Sequence, residues 1–183
     1  MESKTDKILA AAFRLIHQHG FKKVTMSDIA EAAELSRPTL YAEFANKEAV
    51  ISAICAQHVA RADAEVAARL PRAKSLKAQL ALVFDIWIIV PFASVADSPS
   101  GLDLLGNIAS YAPAATTALY AQFERHLTAL LEPAMPGKRA MTAADIAHIL
   151  MLATKGLKAS TSTVAELRRM TDGLIAMAVA TAS

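Results

Sequence analysis

Cysteine, glycine, proline and aromatic side chains are all scarce in this 183-residue chain. A single cysteine, Cys55, forbids an intramolecular disulfide and argues against a thiolate zinc site, which fits a reducing compartment. Six glycines and seven prolines leave few punctuation points for short strands, and no glycine loop of the kind that cradles phosphates is present. With aromatics at 5%, the core must be filled by small and aliphatic side chains. A large excess of either charge is missing too: 19 Lys+Arg face 17 Asp+Glu, so net charge argues neither for nucleic acid nor against it. A long uninterrupted apolar run is also lacking. The window from Ala78 to Ala96 carries Gln79 and Asp85 and is broken by Pro91, and a charge near the centre of a membrane span costs about 2.5–3.5 kcal/mol. It reads as a buried core helix. The opening Met1-Glu2-Ser3-Lys4-Thr5-Asp6-Lys7 is too polar and mixed in charge for a secretory leader. The expectation is a cytoplasmic protein with no membrane partner.

What is present is alanine, 40 of 183 residues, the best helix former. The composition predicts an all-α protein, and the apolar spacing divides it into about nine helices. Ile8, Leu9, Ala12, Phe13, Leu15 and Ile16 give one apolar face over about Lys4 to His19, stopped by Gly20, with Phe21 placed to pack back. Thr25, with Asp28 three positions on, is a capping pair for a second helix, and a tight turn at Glu34-Leu35 ends it. Ser36 caps a third helix whose first turn holds Pro38. Asn46 caps a fourth from Lys47 to about Leu70, ended by Pro71. Longer helices follow over about 75–90, 101–110, 113–131, 142–158 and 163–182, with loops at 96–100 and 132–137. The organisation is a helix-turn-helix module of three helices in residues 1–50 and a larger helical body in 51–183.

The second and third helices are short, joined by about two residues, with small Ala30 where they cross, which is a helix-turn-helix pattern. That geometry offers Arg37 and Thr39 to base edges from the first turn of the recognition helix, with nearby hydroxyls such as Ser36 for phosphates. Lys47 adds a cation at the next helix start. Spacing alone also allows a plainer reading, in which two capped helices close a bundle and Arg37 and Lys47 are merely solvated.

The segment from Ile8 to Val50 resembles the DNA-binding region of the tetracycline-repressor (TetR) family. The resemblance rests on Phe13…Gly20-Phe21, on Thr25-Met26-Ser27-Asp28-Ile29-Ala30-Glu31-Ala32-Ala33, on Ser36-Arg37-Pro38-Thr39-Leu40-Tyr41, and on Phe44-Ala45-Asn46-Lys47-Glu48-Ala49. It implies that Thr25, Tyr41 and Lys47 touch the phosphate backbone while Arg37, Pro38 and Thr39 face bases. Two positions depart from the family pattern: Glu34 stands where the turn usually holds glycine, and Ala42-Glu43 replaces a pair that often includes an aromatic or histidine. A carboxylate at Glu43 repels phosphate unless it is turned away. Residues 1–50 hold seven Lys/Arg and seven Asp/Glu, so phosphate binding has to come from placement rather than from net charge.

For the body, the resemblance implies a ligand cavity and a dimer interface made by the last two helices. Candidate ligand contacts are His58, Phe84, Trp87, Tyr111, Phe123 and Met151, a mainly aromatic set with Asp85 beside Trp87 as a possible polar partner. Candidate interface residues are Ile149, Leu150, Leu167, Leu174 and Ala178; the competing reading is that both apolar faces close the monomer core. The partners implied are a double-stranded DNA operator of palindromic form, a second copy of the chain, and an unidentified small-molecule effector. A homodimer suits duplex recognition, because two recognition helices about 34–36 Å apart meet successive major grooves. Cys55/His58 and Asp145/His148 offer at most two ligands each, so no metal is expected, nor any other cofactor. No Ser, His and acid set with motif context exists, and no catalytic residue is assigned. The resulting expectation is a ligand-responsive transcriptional regulator, a repressor released from DNA by its effector. The alternative is a helical protein–protein interaction module that does not bind DNA.

Overall fold

The computed structural model describes residues 3–137 and 140–182, and among these every regular element is helical. Ten α-helices occur: α1 (Lys4–His19), α2 (Met26–Ala32), α3 (Arg37–Glu43), α4 (Lys47–Arg69), α5 (Leu76–Phe84), α6 (Val90–Ala93), α7 (Pro99–Tyr111), α8 (Pro113–Leu131), α9 (Ala143–Ser160) and α10 (Val164–Ala182). A π-helical stretch, Asp85–Ile89, fuses α5 to α6, so counting that run once gives the nine helices expected.

The fused run corrects the expectation that Pro91 breaks this segment. The Val90 N–H bonds the Asp85 carbonyl five residues back, and this wider turn absorbs the proline ring and its missing N–H, so the helix continues to Ala93. Leu76–Ala93 is long and apolar enough to cross a membrane, with a mean hydropathy of 1.7 over 18 residues. Its Leu80, Val83, Phe84, Trp87, Ile88 and Phe92 are nevertheless buried within the protein. A second correction concerns Pro99, expected in a loop. It occupies the first turn of α7, where a missing N–H costs nothing, and Ser98 caps that helix by accepting from the Gly101 N–H.

The chain forms two compact units, and these do not follow the 1–50/51–183 division read from sequence. The first comprises Met1–His58 and Val95–Thr117. Its core joins Ile8, Ala12 and Ile16 of α1 to Ile29, Leu40, Val50 and Ile51, and takes in Leu104 of α7. Helix α7 lies against α1 because Gly101 lets the chains approach: a Cβ there would stand 2.3 Å from the Val95 carbonyl oxygen and 2.9 Å from the His17 ring. The Ser98 hydroxyl donates to the His17 carbonyl, and Asp97 pairs with His17 Nε2 at 2.9 Å. Gly20 ends α1 at φ 85°, ψ 149°, a region open essentially to glycine alone.

The second unit comprises Val59–Ser94 and Ala118–Ser183. Trp87, Phe84 and Phe123 are fully buried there, with Leu80, Leu127, Leu131 and Leu167 also in the core. Burying one such large side chain stabilises by about 1.5–3 kcal/mol relative to exposure, so this cluster is a main support of the unit.

Candidate nucleic-acid interface

Helix α2 begins at Thr25 for the reason its sequence gives. The Asp28 N–H donates to the Thr25 hydroxyl and the Thr25 N–H donates to the Asp28 carboxylate at 2.8 Å, a reciprocal cap. These bonds, the backbone one foremost, hold the Asp28 carboxyl below its ordinary value of 3.8. The turn after α2 is a Schellman closure: Glu34 N–H bonds the Glu31 carbonyl and Leu35 N–H bonds the Ala30 carbonyl. Glu34 takes φ 57°, the left-handed conformation that glycine normally fills, so the side chain is tolerated without changing the turn.

Helix α3 starts from Ser36, whose hydroxyl accepts from the Thr39 N–H and lies 2.7 Å from the Thr39 hydroxyl. Leu40 anchors the helix in the core while Arg37 and Pro38 are exposed and Thr39 is half-exposed. Tyr41 is 53% exposed, a large apolar surface for a side chain with a polar tip. Glu43 is not left facing solvent alone: Lys4 Nζ of α1 pairs with its carboxylate at 2.8 Å, which offsets the charge that otherwise repels a phosphate.

Lys47 sits differently from a free surface lysine. Its ammonium donates to the carbonyl oxygens of Phe21, at 2.6 Å, and Val24, and it stands 4.4 Å from the Phe21 ring centroid. Two of its three N–H donors are therefore engaged inside the module, leaving one. The structure brings Thr25, Tyr41 and Lys47 together around an open concavity of about 360 Å³, which Lys22, Ser27 and Asn46 also line. Sequence reasoning did not select these last three. The signal was available in Lys22-Lys23, a basic pair in the link between α1 and α2.

The other candidates divide between the two units. Tyr111 belongs to the first, stacked on Phe21 with ring centroids 3.9 Å apart, and His58 is half-buried at the end of the α4 portion of that unit. Phe84, Trp87 and Phe123 come together in the second, edge-on at 5.3 Å and tilted at 6.3 Å respectively against Phe123, with Met151 buried on α9. Asp85, the polar residue considered as a partner for Trp87, accepts from Arg168 at 2.7 Å. A polar group that the sequence reading missed adjoins the aromatics: Asp63 accepts from Gln122 Nε2 at 2.9 Å and lies 2.6 Å from His126 Nε2, whose ring is 5.4 Å from Trp87. Burial works to raise the Asp63 carboxyl, but the His126 and Gln122 bonds outweigh it and hold the group low. Among the described residues no three His, Cys, Asp or Glu side chains gather into a metal-binding group.

Of the interface candidates, Leu150, Leu167 and Ala178 are buried in the chain's own core, Leu174 is half-buried, and Ile149 is 51% exposed. Large apolar side chains exposed on these two helices include Ile149 and Leu152 on α9, and Met170 and Met177 on α10.

Residues 8–54 match the family model for the N-terminal region of bacterial regulatory proteins of the tetR family. The HTH-type transcriptional repressor ComR of Escherichia coli (strain K12) is 33% identical over 109 residues, covering 59% of this chain and 51% of that protein. The chain thus spans about half the length of that curated relative. Two solved structures share the fold over nearly the whole chain. The fatty acid degradation regulator FadR from Bacillus halodurans superposes with TM-score 0.75 at 16% identity, covering 96% of this chain and 95% of that one. The Thermus thermophilus FadR repressor, in complex with lauroyl-CoA, has TM-score 0.59 at 19% identity, with 90% of each chain covered. Residues 8–54, with their capped helices and left-handed turn at Glu34, are thus similar to the N-terminal region of the tetR family of bacterial regulatory proteins.

Proposed function

We propose that this protein is a homodimeric transcriptional repressor that binds a palindromic duplex operator and leaves it when a small-molecule effector binds. The observation that carries the reading is the α2–α3 pair, a helix-turn-helix whose exposed Arg37 and neighbouring Thr39 stand at the start of the second helix. Arg37 reads a base edge, guanine O6 and N7 being the commonest match for its fork, with Pro38 and Thr39 against the neighbouring bases. Thr25, Ser36, Tyr41 and Lys47 hold phosphates and fix the register of the module on DNA. Functionally, residues 1–50 are the DNA-binding part and 51–183 the part that senses and dimerises.

The dimer forms through α9 and α10. Ile149, Leu152 and Gly156 recur at three- and four-residue spacing on α9, as do Met170, Gly173, Leu174 and Met177 on α10. A Cβ at Gly156 or Gly173 would meet nothing within 4 Å, which leaves room for the helices of a second copy. Leu150, Leu167 and Ala178 support this face from beneath rather than touching the partner.

The effector site is built around Phe84, Trp87 and Phe123, with Met151 in the same unit. The Thermus thermophilus relative holding lauroyl-CoA supports a small-molecule role for this fold. Helix α4, which supplies residues to both compact units, is the lever, and an effector shifts the equilibrium only by the difference in its affinity for the two recognition-helix spacings. Selection of duplexes from a random-sequence pool, followed by a salt series on the winner, tests the reading; enrichment of nothing above background contradicts it.

A further inference from the structure

We infer that Tyr111 and Phe21 are positioning residues for the phosphate grip, holding the Lys47 ammonium at the concavity through an aromatic sandwich. The inference rests on the DNA-binding reading above and deepens it.

Phe21 is buried, and both faces of its ring are occupied. Tyr111 stacks on one with centroids 3.9 Å apart and planes 22° from parallel. The Lys47 ammonium lies 4.4 Å from the same centroid, and two groups that close to one ring cannot share a face. The order is therefore tyrosine, phenylalanine, ammonium. A cation over an aromatic face is attracted by the ring quadrupole, and the attraction depends on the ring staying parallel beneath it.

The sandwich fixes more than one distance. Lys47 Nζ also donates to the carbonyls of Phe21 and Val24, so the ammonium is tied to both ends of the link between α1 and α2. That link carries Lys22 and leads into Thr25, and these two side chains and Lys47 line the same concavity as Tyr41 and Asn46. A lysine left free has four rotatable bonds to freeze on meeting a phosphate. Here much of that cost is met before DNA arrives, and the third N–H remains as the donor.

Tyr111 is the last residue of α7, whose other end is held to α1 by the Ser98 hydroxyl bond to the His17 carbonyl and by the close approach at Gly101. A segment about 90 residues downstream of Phe21 thus sets the platform on which the phosphate-binding cation rests. Its phenol ring, not its hydroxyl, supplies the stack, so phenylalanine should replace it and leucine should not.

The test uses the full-length protein and its Tyr111→Leu, Tyr111→Phe and Lys47→Ala variants. Lysine side-chain NMR, with Lys47 assigned by the signal missing in Lys47→Ala, reports the platform directly. The Lys47 methylene protons should lie upfield of those of solvent-exposed lysines, return toward them in Tyr111→Leu, and stay in place in Tyr111→Phe. In parallel, the duplex selected by the wild-type protein from a random pool should bind Tyr111→Leu roughly fivefold more weakly, as expected for loss of one cation–π contact, and Tyr111→Phe normally. An unmoved Lys47 signal in a folded Tyr111→Leu overturns the sandwich, as does equal loss in Tyr111→Phe. Unchanged duplex affinity in Tyr111→Leu overturns its bearing on the grip. If the wild type selects no duplex while its Lys47 signal is shifted as expected, the DNA-binding reading has failed and the phosphate role falls with it.

Discussion

Phe21 and Lys47 are joined twice: the ammonium donates to the Phe21 carbonyl oxygen at 2.6 Å and stands 4.4 Å from the centroid of the same residue's ring. The lysine that the family resemblance assigns to phosphate is thus also an internal strut. Lys47→Ala should therefore do two things, lowering stability by about 1–3 kcal/mol as the Phe21 and Val24 carbonyls lose a charged donor, and weakening all duplexes alike. Arg37→Ala should leave stability unchanged within about 0.5 kcal/mol and cost about 1–3 kcal/mol on the selected duplex only. Urea melts and competition binding against unselected DNA separate the two; equal losses on both DNAs for Arg37→Ala remove its base-reading role.

Glu34 offers a gain. A side chain in the left-handed region costs roughly 1–2 kcal/mol, and glycine recovers much of it at a helix C-terminus. Glu34→Gly should raise the urea midpoint at unchanged slope, by about 1 kcal/mol overall. A lower midpoint means that the Glu34 carboxylate makes a compensating contact.

Acid should destabilise the protein through three aspartates, two of them in helix caps. Asp28 is held low by Thr25, Asp145 by the Thr142 hydroxyl and N–H, and Asp63 by His126 and Gln122 despite its burial. A carboxyl whose folded value is depressed contributes stability that is complete above its unfolded value, here 3.8, and is lost as pH falls through the folded one. Denaturation midpoints should be flat for these groups near pH 6 and fall below about pH 4.5. Asp145→Asn should flatten part of that fall; a pH profile identical to wild type argues that the Thr142 cap does not operate in solution.

The surface and buried faces of the last two helices should respond differently. Ile149→Glu with Met177→Glu, at 51% and 61% exposure, should give monomers of near-normal helicity that bind duplex poorly. Leu167→Ala, at a fully buried position, should instead cost about 2–5 kcal/mol of stability. An unaltered dimer for the double variant in sedimentation places the interface elsewhere.

The local parts of this molecule were legible in its sequence. Thr25 with Asp28, Ser36 with Pro38, and Asn46, whose side chain accepts from the Ala49 N–H, mark helix starts because a cap needs only residues three apart. What depends on distant packing was not. Nothing near Tyr111 announces that α7 joins the N-terminal unit, which follows from the fit of Gly101 against Val95 and the stack on Phe21. Helices α9 and α10 are apolar on more than one face, so periodicity could not separate Leu167, which is buried, from Met177, which is exposed. Pro91 misled because a wider helical turn can absorb a proline, and no residue type signals that turn.

The most direct measurement of the central claim is the affinity for a selected duplex across a salt series, set beside a scrambled duplex of equal length. A dimer gripping phosphates on two half-sites should lose affinity steeply, with log K against log salt falling by about 0.9 for each phosphate contact, and should prefer the selected sequence by about 10³-fold or more. Equal, weak and salt-insensitive binding to both duplexes would contradict it.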